Sequence, residues 1–319
     1  MRISPGELDS GTQNQRQVKI VGLLLKSWCI LKADSYRGRI APSPTGFLHL
    51  GHARTFWTAQ DRAVNAGGKL VLRNDDLDRS RVRRQFVTSM MEDLRWFGFH
   101  WNEGPDAGGR FAPYNQSERI GRYRAAFQKL VEAGCVYPCI CSRQDVLRAL
   151  EAPHARDDEP IYPGTCRQMK EDGFPKGAKV NWRFRVPDQQ IIKFADGGYG
   201  HQEFCAGRDF GDFVVWRNDD VPAYQLACVV DDAEMQITEV VRGEDLLIST
   251  ARQLLLYRAL GFTPPKYFHC PLMLDETGAR MAKRNNSMSL RQLCSQGATP
   301  ERLRENWHNP EQITQSHEH

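Results

Sequence analysis

The sequence predicts an α/β fold: a doubly wound parallel sheet, interrupted by an inserted subdomain and followed by a short helical C-terminal region. Three observations carry this. From Arg37 onward, short apolar runs of strand type alternate with segments of helical spacing, joined by short links. Between Val136 and about Pro187 that rhythm breaks into Pro, Gly, Cys and short charged segments. Beyond the break the alternation of strand and helix patterns resumes.

The first strand is read at Arg39 to Ala41. It runs through Pro42-Ser43-Pro44-Thr45-Gly46, a turn stiffened by its prolines, into a helix over Leu50 to Val64. Leu50, Ala53, Phe56, Trp57 and Ala63 recur there at helical spacing. His49 and His52 therefore stand on one face of its first turn, where backbone N–H groups and the helix dipole attract phosphate. On that local pattern alone, histidines that cap and pack are the better reading. Lys69 to Arg73 is the second strand, and a helix follows over about Gln85 to Phe97, with Phe86, Met90, Leu94 and Phe97 on one stripe. Another helix covers about Glu118 to Ala133. After the break come a buried apolar run (Ala223 to Val230), a strand (Gln236 to Val241) and a helix (Leu246 to Leu260). One or two short helices lie within Leu290 to Trp307, ahead of a polar tail. In sheets of this kind ligands bind beyond the carboxyl ends of the strands, where the Pro-Ser-Pro-Thr-Gly loop would lie.

The expected divisions are an extension or mis-assigned start over residues 1–35 and a first half of a nucleotide-binding domain over 36–135. An inserted subdomain over 136–190, a second half over 191–262, and a stem-contact-like region with a polar tail over 263–319 complete the chain. At 319 residues with 40% hydrophobic and 26% charged content, the composition is that of a soluble globular protein. A net charge of +4 permits an RNA partner without requiring one. The run Ile20 to Leu25, bracketed by Lys19 and Lys26, is far too short to span a membrane, and no signal peptide is read. Nine cysteines without a secretory signal argue for reduced thiols in the cytoplasm, some of them on metal. Cys139-x-Cys141 followed by Cys166 gives three soft ligands that suit a tetrahedral zinc, with His154 and Cys135 among the candidates for a fourth. Buried thiols without metal are the alternative. Cys29, Cys205, Cys228, Cys270 and Cys294 show no ligand spacing and are expected to be packing residues.

The stretch Arg39 to His52, with its His-Leu-Gly-His, resembles the first signature of the class I glutamyl and glutaminyl tRNA synthetases. Arg280-Met281-Ala282-Lys283-Arg284, far downstream, resembles their second, lysine-bearing signature. Neither is specific alone; the two in this order are. The resemblance implies a class I Rossmann-like fold whose insertion resembles an acceptor-binding module. It implies that His49, Gly51, His52 and Lys283 bind ATP, with His49, His52 and Lys283 catalytic, and that Mg2+ accompanies the nucleotide. It assigns the amino acid to Arg39, Ala41 and Ser43, and Arg73-Asn74-Asp75-Asp76-Leu77-Asp78 resembles the motif whose acidic residue holds the substrate ammonium. Here that residue is Asp75, one methylene shorter than the usual Glu, and read blind it could be a solvated acidic turn. Tyr224 and Arg242 would complete the glutamate site, Arg242 by its planar fork, while Asp231 and Asp232 would order the nucleotide pocket. Without the motif, Arg242 reads as well as an ion-pair partner of Glu239 or Asp245, and Lys283 as a basic surface turn. A branch of the family carries Cys-x-Cys…Tyr-x-x-x-Cys on zinc, which makes Tyr162 the fourth ligand beside Cys139, Cys141 and Cys166.

Little chain follows Lys283, so no anticodon-reading helical domain is expected. That pattern resembles the short glutamyl-Q tRNA(Asp) synthetase branch, over about Tyr36 to Arg304. The resemblance implies tRNA-independent activation of L-glutamate by ATP and its transfer to the queuosine base of tRNA(Asp), by a cytoplasmic monomer without membrane association. The competing readings are a truncated synthetase charging a tRNA 3′ end, a non-catalytic tRNA-binding paralogue, and activation of another small amino acid.

Overall fold

The computed structural model describes residues 36–148, 161–169, 173–273, 288–305 and 307. Strand β1 (Arg37–Ile40) is buried along its whole length and pairs in parallel with β2 (Lys69–Leu72), in the register Arg37↔Lys69 to Ile40↔Leu72. Helix α1 (Leu50–Asn65) makes the crossover, burying Leu50, Ala53, Ala59 and Ala63. Helix α2 (Arg84–Phe97) buries Met90, Leu94 and Phe97, and ends on Gly98, whose φ of 94° lies in the left-handed region that a side chain resists. A 3-10 turn over Gln116–Glu118 precedes α3 (Ile120–Glu132), so this helix begins two residues later than its pattern suggests.

The interrupted region holds β3 (Val136–Cys139), the short α4 (Arg143–Arg148) and β4 (Asn181–Phe184). With β7 (Phe213–Trp216) the two strands make an antiparallel sheet of order β3-β4-β7. Strands β5 (Ile191–Asp196) and β6 (Gly200–Cys205), unanticipated from the sequence, form an antiparallel hairpin on the edge of a second sheet. Its order is β6-β5-β9-β8, with β8 (Glu239–Gly243) and β9 (Lys266–Cys270) parallel over five registered pairs. Strand β8 starts later than the expected Gln236 because Gln236 takes a φ of 55°, a turn conformation no strand accepts. Helices α5 (Tyr224–Glu234) and α6 (Leu247–Leu260) share one core with α3, the β3-β4-β7 sheet and Ile192 of β5, and α7 (Leu290–Ser295) and α8 (Pro300–Glu305) follow β9 in the chain.

The parallel order is thus real but divided, a two-stranded ladder and a four-stranded one. They meet where Thr238 N–H donates to Arg37 C=O (2.9 Å) and where the Arg39 guanidinium donates to Val241 C=O (3.0 Å). A side chain there takes a carbonyl that a continuous ladder would use. Ser289 caps α7 and exchanges hydrogen bonds with Gln292, and Leu290 N–H donates to Leu48 C=O (2.8 Å), which seats this C-terminal segment on the turn before α1. Among the described residues no helix is long and apolar enough to cross a membrane.

Candidate active site and metal centre

At the carboxyl ends of β1, β2 and β8 lies a cavity of about 430 Å³. Arg39, Ala41 and Ser43 reach it from β1 and the loop beyond. The start of α1 supplies His49, Gly51 and His52, and Asp75, Tyr224 and Arg242 come from past β2, from the start of α5 and from β8. Nine residues singled out from the sequence thus meet around one space. Lys283 and Arg280 lie outside the described residues. Thr55, Leu272 and Met273 also line the cavity, with no signal in the sequence to mark them.

His49 is the N-cap of α1 and its backbone N–H donates to His52 Nδ1 (3.3 Å). With Nδ1 accepting, a neutral His52 carries its proton on Nε2. The rings lie 3.7 Å apart, and a Cβ on Gly51 would come within 3.1 Å of the His49 ring. A side chain at Gly51 would therefore crowd the pair.

Behind the cavity sits a charge-balanced hub of three arginines and three aspartates. Arg73, fully buried, donates from Nε and Nη2 to Asp75 (2.6 and 3.2 Å) and from Nη1 to Asp232 (2.6 Å). Asp232 also faces Arg39 Nε at 3.4 Å. Asp231 is held by Arg119 (2.6 Å), Gln116 (2.8 Å) and the Tyr123 hydroxyl. Asp75 is thus no solvated turn residue, and Asp231 and Asp232 sit behind the cavity wall as partners of arginines. Burial pushes the Asp75 carboxyl up, against the pull of Arg73 and with Asp231 and Asp232 adding to the rise, to about 6. Sequence reasoning missed Arg73 and Arg119. The one usable signal was a charged residue directly after the apolar run Leu70–Leu72, at a strand's carboxyl end.

Arg242 does not pair with Glu239, whose carboxylate is taken by Arg62 (2.7 Å to each oxygen) and the Tyr36 hydroxyl (2.8 Å). It donates instead to neutral acceptors: His269 Nε2 (3.1 Å), Gln253 (2.9 Å), Thr250 (2.7 Å) and Leu246 C=O (3.3 Å). Its positive charge is left uncompensated by these bonds. Four of its five N–H donors are engaged, so a bidentate grip on a carboxylate requires releasing one, and the bond to Leu246 is the longest.

The thiols of Cys139, Cys141 and Cys166 cluster within 4.8 Å of one another. The Tyr162 hydroxyl stands 3.4 Å from Cys139 Sγ and 3.5 Å from Cys141 Sγ, and Cys141 and Cys166 are 3.6 Å apart. A tetrahedral zinc with bonds of about 2.3 Å to sulfur sets its ligands roughly 3.7 Å apart, so the four donors fit such an ion. Cys135 lies apart, its thiol against the Ala133 carbonyl, and His154 falls outside the described residues. Of the cysteines expected to pack, Cys228 and Cys270 are buried and Cys205 is half-buried, whereas Cys294 is exposed, a correction explained by its place on the outer side of the short α7; Cys29 lies outside the described residues. Cys141→Ser is expected to lower bound zinc to well under one equivalent by metal analysis; an unchanged content would exclude the site.

The fold is that of a class I tRNA synthetase catalytic core, as the comparisons show. Residues 35–308 match the family model described as tRNA synthetases class I (E and Q), catalytic domain. The chain belongs to that family of class I aminoacyl-tRNA synthetases and is an enzyme of the ligase class. It is 46% identical over 265 residues to the Glutamyl-Q tRNA(Asp) synthetase of Nitratidesulfovibrio vulgaris, covering 82% of each chain. It is 48% identical over 269 residues to that of Symbiobacterium thermophilum, covering 83% of each. A crystal structure of a glutamate tRNA ligase from Elizabethkingia meningosepticum, in complex with its amino acid, matches with a TM-score of 0.69 at 32% identity. That match covers 79% of this chain and 52% of the ligase, so the chain spans about half of that longer protein.

Proposed function

We propose that the chain activates L-glutamate with ATP, without tRNA, and transfers the glutamyl group to the queuosine base of tRNA(Asp). The observation that carries this reading is the single cavity in which two arginines and an aspartate face the histidine pair of a helix N-terminus. The similarity to two relatives named Glutamyl-Q tRNA(Asp) synthetase, over more than four-fifths of each chain, supports the choice of acceptor.

In this reading a carboxylate oxygen of glutamate attacks the α-phosphorus of ATP, and the bond to the pyrophosphate leaving group breaks. Charge grows on the phosphate oxygens, where the α1 N–H groups, the His49–His52 pair and Lys283 stabilise it. Gly51 lets the nucleotide approach the helix start. Arg39 faces the α-carboxylate, with Ala41 and Ser43 beside it; Asp75 holds the ammonium, and Arg242 and Tyr224 hold the side chain. In the second step a nucleophile of the base attacks the mixed anhydride and AMP leaves. Mg2+ travels with ATP. Zinc on Cys139, Cys141, Tyr162 and Cys166 would tie β3 to the loop at Tyr162 and is structural.

The test is transfer of radiolabelled glutamate to tRNA(Asp) with and without queuosine. Label that depends on queuosine and survives periodate oxidation of the 3′ end supports the proposal. Label lost after oxidation would point to 3′-aminoacylation instead. Absence of glutamate-dependent ATP–pyrophosphate exchange would overturn glutamate activation and leave either another small amino acid as the substrate or a paralogue that has lost catalysis.

Two results are expected within this frame. Arg242→Ala should raise the KM for glutamate by roughly 10–100-fold, the worth of hydrogen bonds to a charged group, with little change for ATP; equal losses for both would make the residue structural. The Asp75 carboxyl, raised to about 6, must ionise to hold an ammonium, so glutamate affinity should fall as pH drops through that value. The same raised value means the fold binds this proton more tightly than the unfolded chain does. Asp75's own contribution to stability is therefore greatest at acid pH and lost as pH rises through about 6. A glutamate KM flat between pH 5 and pH 7 would contradict the assignment.

A further inference from the structure

Behind Arg242 runs a second line of buried polar groups that the reaction as described does not use. Arg242 and His269 are registered partners on the parallel strands β8 and β9, and His269 is fully buried. Its Nδ1 lies 2.6 Å from Asp196 Oδ2, and its Nε2 faces Arg242 Nε at 3.1 Å. Asp196, at the end of β5, receives three backbone N–H groups on its other oxygen, from Gly198 and Tyr199 (2.9 Å each) and from His269 itself (3.2 Å). The turn that carries these donors is packed hard against β9: a Cβ on Gly198 would lie 2.1 Å from the His269 carbonyl oxygen.

Thr250 Oγ1 also lies 3.3 Å from His269 Nε2, and the Arg242 Nε–H aimed at that nitrogen decides the tautomer. Asp196, surrounded by donors, is an ionised acceptor. Arg242 is always protonated and its Nε can only donate. His269 lies between them, so its Nδ1 must carry a proton and its Nε2 must present a lone pair. An imidazolium, or the opposite tautomer, would set an N–H against the Arg242 N–H in a buried site. Thr250 closes the geometry, accepting from Arg242 Nη2 (2.7 Å) and reaching the Leu246 carbonyl (3.4 Å).

We propose that His269, locked by Asp196 as the neutral Nδ1–H tautomer, is a positioning residue that fixes the Nε corner of Arg242 so that its fork meets the substrate's side-chain carboxylate. The proposal rests on the functional reading of Arg242 given above. Among the described residues the charged groups hydrogen-bonded to the ring are Asp196 from β5 and Arg242 from β8; Tyr267, on its own strand, stacks nearby at 6.2 Å between ring centroids.

Nitrogen-15 NMR of the intact protein at pH 7 tests the tautomer directly: the expected signature is a protonated Nδ1 and a bare Nε2 on His269. Glutamate-dependent ATP–pyrophosphate exchange tests the role. His269→Gln, whose side-chain oxygen can still accept from Arg242, should keep the glutamate KM within about threefold. His269→Leu, and Asp196→Asn, which frees the ring to take the other tautomer, should raise it about tenfold or more while the ATP KM stays put. A proton on Nε2, a charged ring, equal losses for glutamate and ATP, or Gln no better than Leu would each overturn the proposal. Thermal unfolding of every variant separates misfolding from mispositioning, and the NMR result on the unaltered protein stands whatever the variants do. No glutamate-dependent exchange in the unaltered protein would overturn the functional reading itself, a failure distinct from these, and the positioning role with it.

Discussion

Arg73→Met is expected to remove about 3–5 kcal/mol of folding stability, read as a fall in the denaturant midpoint at constant slope. Such a loss is large against the roughly 5–15 kcal/mol that holds a typical domain together. The cause is the charge left behind: Asp75 and Asp232 lose their bonds of 2.6 Å to the guanidinium, and Asp231 loses a cation at 3.6 Å, with all three carboxylates buried and Asp75 alone reaching the cavity wall. Methionine fills the volume, so the loss reports buried carboxylates rather than a cavity. Stripped of their counter-charge, these carboxyls bind protons more tightly in the fold than unfolded, so the deficit of the variant should shrink as pH falls. A midpoint within the change expected for about 1 kcal/mol would mean the hub is not charge-balanced as described.

Lys283→Ala is expected to slow adenylate formation by roughly 10²–10³-fold, the usual cost of removing one partner of a developing oxyanion. Lys283 lies outside the described residues, and its assignment comes from the second signature alone. The position is nonetheless exposed to a simple measurement, the single-turnover rate of glutamyl-adenylate formation at saturating ATP and glutamate. A rate within threefold of the parent would remove the lysine from the reaction. The neighbouring Ala282 stands where the signature usually has serine, so any role of that hydroxyl is absent.

The strands and helices β1, α1, β2, α2, α3, β8 and α6 were legible because each carries its period locally, as in the stripe Met90, Leu94, Phe97 or the run Lys69 to Leu72. Elements β3, α4, β4 and β7, in and after the interrupted region, were not. Nor was the β5–β6 hairpin, since Gly197, Gly198 and the mixed polar run Gly200 to Glu203 obscure the alternation, and the hairpin gains its place from tertiary contacts: its edge pairing with β9 and the burial of Ile192 in the core shared with α6. The cavity residues were legible as motifs, and the cysteine cluster as a spacing. Arg73 stood inside a quoted motif without a role, because nothing local says that a charged side chain will be fully enclosed.

The sequence by itself determined the alternating α/β pattern, the two signatures and the three cysteines with Tyr162, all properties of short segments or fixed spacings. Only the tertiary structure decided what those segments do to each other. Arg39, Arg73 and Arg119 meet Asp75, Asp231 and Asp232 from elements far apart in the chain, and Asp196 reaches Arg242 through His269 across three strands. The physical reason is that buried charge must find its partner wherever the fold brings one, and residue spacing carries no record of that distance.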